Sequence, residues 1–355
     1  MLFCPSIAII PLYKMQQKLD LKSKILGCLL GGAIGNTFGS PFENMHYLEI
    51  EKKYGKSLVK NILQPECIKS EDDCNVALVL IKTYIENKKR INSFDYCKGW
   101  LKYLDPTSLY ICCQNSLNLI NQGVSPQISG VLNLDTGAAI MAISPVGIYN
   151  ACDPDQAHMD AIELTEMFGR GIDVEIAAVY ASAIAETMRS DATFNSILEI
   201  ILNKTPNKVF KVYGYLREIN LHEQIEKAID ISFRYDDFYK AREALYDNFQ
   251  TTWHSIDPVE LFIFTISIFV LSRGDVDKSI VWGGNIGRDA DTISNLNGAL
   301  TGGLHGVEKI PKRLIDQIGE NIYKKYEVLS EQLIEIIIEK FKNEKILLEK
   351  VKNII

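Results

Sequence analysis

Two aspartates one residue apart, with a hydroxyl beside them, can direct three oxygens at one point; the chain places them in Gly287-Arg288-Asp289-Ala290-Asp291-Thr292. Two like charges 4 Å apart repel by about 4 kcal/mol at an effective dielectric near 20, so carboxylates gathered this way need a positive partner. A hard cation such as magnesium, which prefers oxygen ligands, meets that need. A purely local role competes with it: Asp291 as an N-cap and Asp289 as a solvated loop residue, since Asp and Thr are common at helix starts. A second acidic cluster, Glu71-Asp72-Asp73, stands directly before an apolar helical run. Carboxylates are favourable at a helix N-terminus because of its exposed amides and dipole, but capping needs one acid, not three. An early turn bearing Asn36 and Glu43 adds further oxygens.

The elements that must position these residues read as helices. Most long segments carry a 3.6-residue apolar period and alternating strand patterns are nearly absent, which predicts an all-α fold: a compact, multi-helix single domain. The first firm helix starts near Leu21 and sets Gly27, Gly31 and Gly35 on one face, where another helix can approach closely. Each glycine lowers helix propensity by about 1 kcal/mol relative to alanine, so close packing must compensate. A turn over Asn36 to Pro41 is expected to end it, and a second helix to run from Glu71 to about Asn87. Asp105-Pro106 punctuates the middle of the chain, Asp153-Pro154 opens another helix, and Glu175 to Arg189 forms an alanine-rich one. Segments 192–204 and 222–248 read as helical too. The boundaries expected are an extension over 1–19, the body over 20–328, and an amphipathic C-terminal helix over 329–355 with Lys/Glu-rich flanks. Its heptad is too irregular for a confident coiled coil, which leaves a monomer or a weak homodimer.

Composition narrows the function classes. At 355 residues and a net charge of -7, the chain has no global attraction to nucleic acid or anionic lipid. Eight cysteines without a CxxC pair point to reduced thiols and a cytoplasmic location. No uninterrupted apolar run approaches the roughly twenty residues of a membrane span, and Val259 to Leu271 fits a buried core helix.

Four blocks, GCLLGGAIGNTFGSPFE (27–43), EDDCNVAL (71–78), GAAIMAISPVG (137–147) and GRDADTISNLNGALTGGLHG (287–306), resemble in order and spacing the signature blocks of the ADP-ribosylglycohydrolase family. The resemblance spans about residues 20 to 312, and its last block is the most specific. It implies an all-α domain with a dinuclear metal cleft, and cleavage of the bond between a ribose anomeric carbon and its substituent. By position it implies Asp72, Asp73, Asp289, Asp291 and Thr292 as metal ligands, with Glu71 able to supply a further oxygen where the family has a hydroxyl, and two magnesium ions, or manganese in their place. Glu43 would sit beside the ribose; Glu43, Asp72 and Asp289 are the candidates for moving charge or protons, and Asn36, Gly137, Ala138, Ser144, Gly147 and Arg288 for lining the substrate.

Three departures from the family pattern stand out. The acidic block, Thr-Asp-Asp-Thr in the family, is Glu71-Asp72-Asp73-Cys74 here, so that Glu71 adds charge while Cys74 suits a small buried role better than a hard ion. Gly35-Asn36 replaces a Gly-Asp pair, and Arg288 stands where many members carry glycine. The Arg288 guanidinium could hold a substrate phosphate or carboxylate, or neutralise Asp289 or a neighbouring acid. The implied substrate is an ADP-ribosylated protein or a small ribosyl conjugate. A nucleoside or nucleotide N-glycosidase on the same fold, and a non-catalytic binder of metal or ADP-ribose, remain the alternatives.

Overall fold

Glycines set the axis of the molecule. The computed structural model describes residues 20–69, 72–104, 109–212, 217–251, 255–352 and 354. Among them run sixteen α-helices: α1 Leu21–Gly39, α2 Tyr47–Tyr54, α3 Asp72–Asn87, α4 Ser93–Tyr103, α5 Ile111–Asn121, α6 Ser144–Tyr149, α7 Pro154–Thr165, α8 Gly171–Thr187, α9 Phe194–Lys204, α10 Leu221–Arg234, α11 Phe238–Phe249, α12 Pro258–Ser272, α13 Val276–Asn285, α14 Ala290–His305, α15 Lys312–Ile318 and α16 Glu320–Lys352. A small antiparallel hairpin, β1 Val209–Val212 with β2 Arg217–Asn220, is paired from Val209 with Asn220 to Val212 with Arg217. Along α1, a Cβ at Gly27, Gly31, Gly35 or Gly39 would be driven into the backbone of Gly302, Gly298, Ser294 or Ala290. The rising numbers on one helix meet falling numbers on the other, so α1 and α14 lie antiparallel with backbones in contact, an approach only glycine permits.

Other helices brace this pair. The Tyr180 hydroxyl of α8 donates to Leu296 O at 2.7 Å, and the Ser294 hydroxyl donates to Ile280 O of α13 at 2.9 Å. Lys24 is buried yet satisfied, because its ammonium donates to Thr187 O (2.8 Å) and Leu304 O (3.0 Å) at the ends of α8 and α14. Cations are favourable at helix C-termini, where carbonyls lack partners.

The structure changes several expectations. α1 does not turn at Asn36; it continues to Gly39 and passes into a 3₁₀ turn over Ser40–Phe42, so Asn36 is a fully buried helical residue. The segment Leu21–Phe42, though its apolar run is interrupted, is long and apolar enough on average to cross a membrane, but 89% of its window is buried inside the molecule as a core helix. Residues 222–248 break into α10 and α11, because the Asp237 carboxylate accepts from Tyr239 N–H and Lys240 N–H and starts a new helix. α16 begins at Glu320, nine residues before the expected boundary of 329, and buries Tyr326, Ser330, Leu333, Ile336 and Ile337 against the body. Glu71, residues 1–19 and the Asp105-Pro106 punctuation lie outside the described residues.

Candidate active site

Two helix starts deliver the carboxylates. Asp72 and Asp73 open α3, while Asp289 is the N-cap residue of α14 and Asp291 lies in its first turn. Asp72, Asp73, Asp289, Asp291 and Thr292 all line one cleft of about 170 Å³, together with Glu43, Asn44, Tyr110, Thr136, Gly137 and Ala138. The positive ends of two helix dipoles therefore face the same acidic space.

Burial, followed by the charges of Asp291 and Asp72, pushes Asp73 well above the usual carboxylate range, against hydrogen bonds from Asn295 and Thr292. Burial, followed by Asp291 and Asp73, does the same to Asp289, and Glu43 adds to it. Asp72 is raised by burial, partly opposed by the N–H groups of Asp72 and Asp73. Burial and the neighbouring Cys112, Asp289 and Asp72 raise Tyr110, so its hydroxyl stays a neutral donor. Among the described residues, no lysine or arginine lines this cleft.

Among the described residues, no three carboxylate, thiol or imidazole groups are drawn together as an assembled ion cage. The donor chemistry nevertheless suits a hard cation. The donors are carboxylate and hydroxyl oxygens whose charges repel one another.

The remaining candidates divide. Gly137 and Ala138 line the cleft, and Gly137 has φ +75°, where a side chain would be strained and would meet Leu261. Gly147 instead packs α6 on α8, since a Cβ there would press on Ala181 O and Ile184. Ser144, in the first turn of α6, lines a smaller cavity behind Asp73 and Asn295. Asn36 stands behind the acids: its amide donates to Asp291 Oδ2 at 3.5 Å, and its oxygen accepts from Cys74 Sγ at 3.2 Å. Cys74 is thus a buried link between α3 and α1.

Arg288 points away from the acids. Its Nε and Nη2 donate to the two carboxylate oxygens of Glu260 at 2.5 and 3.1 Å, and Nη2 reaches Thr251 O at 3.3 Å. Of the roles open to it in the sequence, the structure shows neutralisation of an acid, but that acid is Glu260 on α12. Arg288 also has φ +63°, a left-handed backbone that costs a non-glycine residue about 1–2 kcal/mol.

Sequence reasoning passed over three groups. Asn295 donates to Asp73 Oδ2 at 3.0 Å and to Met141 O at 3.1 Å; its position one turn after Asp291 was the available signal. Tyr110 comes from a distant helix start and carried none. Asp173, fully buried in the first turn of α8, accepts from Thr136 N–H at 3.5 Å and faces the N–H groups of Gly137 and Ala139, so it holds the loop that walls the cleft. Burial and then Asp135 raise its pKa to about 7.

Comparison with known proteins agrees with this layout. The ADP-ribosylglycohydrolase family model matches residues 17–344, a span that contains every cleft residue named above. The chain is similar to the uncharacterized protein YegU of Escherichia coli K12, with 24% identity over 330 residues covering 85% of this chain and 95% of that protein. An uncharacterized protein of Archaeoglobus fulgidus is 24% identical over 290 residues, covering 79% of this chain and 88% of its own length. A solved structure, an ADP-ribosylglycohydrolase-related protein complex, superposes with a TM-score of 0.65 at 15% identity, covering 90% of this chain and 99% of that one, which shows a shared fold. The helical pair that brings the acids of α3 and α14 to one cleft is thus built within a match over most of the molecule, and the chain belongs to the ADP-ribosylglycohydrolase family.

Proposed function

We propose that the protein is a magnesium-dependent hydrolase that cleaves the anomeric bond of an ADP-ribosyl or related ribosyl substrate. Family membership supports glycosyl hydrolysis as the class of activity. The observation that carries the finer reading is the acidic cleft, with four aspartates and Thr292 inside it and Glu43 among its lining residues. Asp72, Asp73, Asp289, Asp291 and Thr292 would hold the cation. When bound, magnesium supplies Lewis acidity and lowers the pKa of a water.

The chain's own residues do the rest. Asn295 and Thr292 fix Asp73, and Asn36 fixes Asp291, so their oxygens keep one orientation. The side-chain-free Gly137 lets a sugar ring approach the wall closely, and Tyr110 offers a neutral hydroxyl to it. Glycoside hydrolysis passes through an oxocarbenium-like state that needs a carboxylate to balance charge or move a proton. Glu43, exposed and among the residues lining the cleft, takes that role in this reading, with Asp289 and Asp72 as the carboxylates nearest in role. Glu43→Gln should lower kcat by about 10²-fold or more, the ordinary scale of a lost acid–base group, while the magnesium-induced rise in melting temperature stays as in the wild type. Full turnover in that variant would remove Glu43 from the reaction.

A further inference from the structure

Glu43 sits on an exposed loop, yet a continuous set of hydrogen bonds ties it to the start of α12. The Glu43 carboxylate accepts from Asn44 Nδ2 at 3.0 Å, and Asn44 Oδ1 accepts from the Ser255 hydroxyl. The Asn44 N–H donates to Arg288 O at 2.7 Å, and the Arg288 N–H donates to Met45 O at 2.7 Å. Both Asn44 and Arg288 hold left-handed backbones at φ +61° and +63°. Strain of that kind persists where the surroundings over-determine it, and often at functional sites. What holds Arg288 there is its side chain: the fork on Glu260, whose Oε2 also accepts from Thr251 N–H (2.6 Å) and Oγ1 (2.8 Å). Glu260 is only 1% exposed and lies in the first turn of α12, a nearly fully buried helix.

We infer that Arg288 and Glu260 are positioning residues: their ion pair anchors the 286–288 turn to α12 and, through the paired backbone at Asn44, holds the Glu43 carboxylate at the cleft. Where a glycine would merely permit the turn, Arg288 fastens it. The inference rests on the proposed role of Glu43 for its catalytic consequence, but its structural half stands apart from any substrate.

The double variant R288G/E260Q tests it, because glycine suits the left-handed backbone and no charge is left buried alone; R288K serves as the milder partner. Hydrogen exchange is read over the peptide spanning 42–50, with peptides from α3 and α14 as internal references. In the double variant, exchange over 42–50 should speed up about tenfold or more while the references and the magnesium response hold. On a ribosyl substrate the wild type turns over, kcat should fall about tenfold to a hundredfold with KM within about threefold, as for a misplaced group, and R288K should recover part of the loss. Unchanged exchange over 42–50 would overturn the latch whether or not a substrate is known. A rise in KM with kcat and exchange unchanged would also overturn it, since Arg288 would then contact substrate. Should the wild type turn over none of the ribosyl substrates, the proposed function fails alone and the exchange result still decides the latch.

Discussion

A carboxylate among carboxylates is tolerated with a proton or with a cation, and that choice governs the cleft. Asp73 and Asp289 are both raised above their ordinary range by burial and then by neighbouring aspartates, Asp291 foremost for each, so without a cation the stability tied to their neutral forms is full below their unfolded pKa and is lost as pH rises through the folded one. Metal binding must displace those protons, which makes magnesium stabilisation larger at pH 8 than at pH 5. Thermal melts with and without magnesium at both pH values check this, and equal shifts would contradict it. Asp289→Ala and Asp291→Ala should each abolish the shift, which for a ligand at 100 times its Kd corresponds to about 2.7 kcal/mol. A response retained in both variants would place the ion elsewhere. At this scale the sequence was legible where spacing alone brings groups together, as in Asp289 with Asp291 or Asp72 with Asp73. It did not reveal the partner of Arg288, because Glu260 lies 28 residues away and only the packing of α12 brings it near.

Helices carry these residues, and the contact between α1 and α14 fixes where their ends meet. Gly31→Ala or Gly298→Ala would push a methyl into a facing carbonyl, and overpacking of this kind costs about 1–3 kcal/mol. Each variant should melt several degrees lower; an unchanged melting temperature would mean the helices can separate freely. The start of α8 offers a second handle, since Asp173 holds the cleft wall through backbone N–H groups. Its pKa rises from 3.8 to about 7 on folding, so its contribution is full below pH 3.8 and is lost as pH passes through 7. Asp173→Asn should flatten the decline in stability between pH 4 and pH 7, and an unaltered slope would show that Asp173 does not titrate there. The glycine stripe announced a close helical neighbour without saying which one. The turn expected at Asn36 failed because that residue, polar and near a proline, is held inside α1 by buried partners. The hairpin escaped notice because four-residue strands carry too little alternation to read.

Across the whole molecule, charge and shape assign different work to its two ends. The acidic cleft opens where α3 and α14 begin, while residues 341–352 at the end of α16 are exposed, beyond the anchor that Lys340 makes with Asn150 Oδ1 at 2.8 Å. Removing residues 342–355 should leave the melting temperature and the magnesium response unchanged, because exposed side chains contribute within about 0.5 kcal/mol each. A fall of several degrees would show that this overhang is covered in solution. Family and helical class were legible in four short blocks because those blocks are where backbones touch and acids converge. The loops that would contact a leaving group carry no such spacing, and nothing in composition or period constrains them. The most direct test of the central claim is mass spectrometry of products after incubation with ADP-ribosyl-arginine, ADP-ribosyl-serine and a panel of nucleosides, with magnesium and with chelator. Release of a free ribosyl product from an ADP-ribosyl or related ribosyl substrate in magnesium alone is the expected result; release that is indifferent to the chelator, or none from any substrate while magnesium still stabilises the protein, would overturn the proposed function.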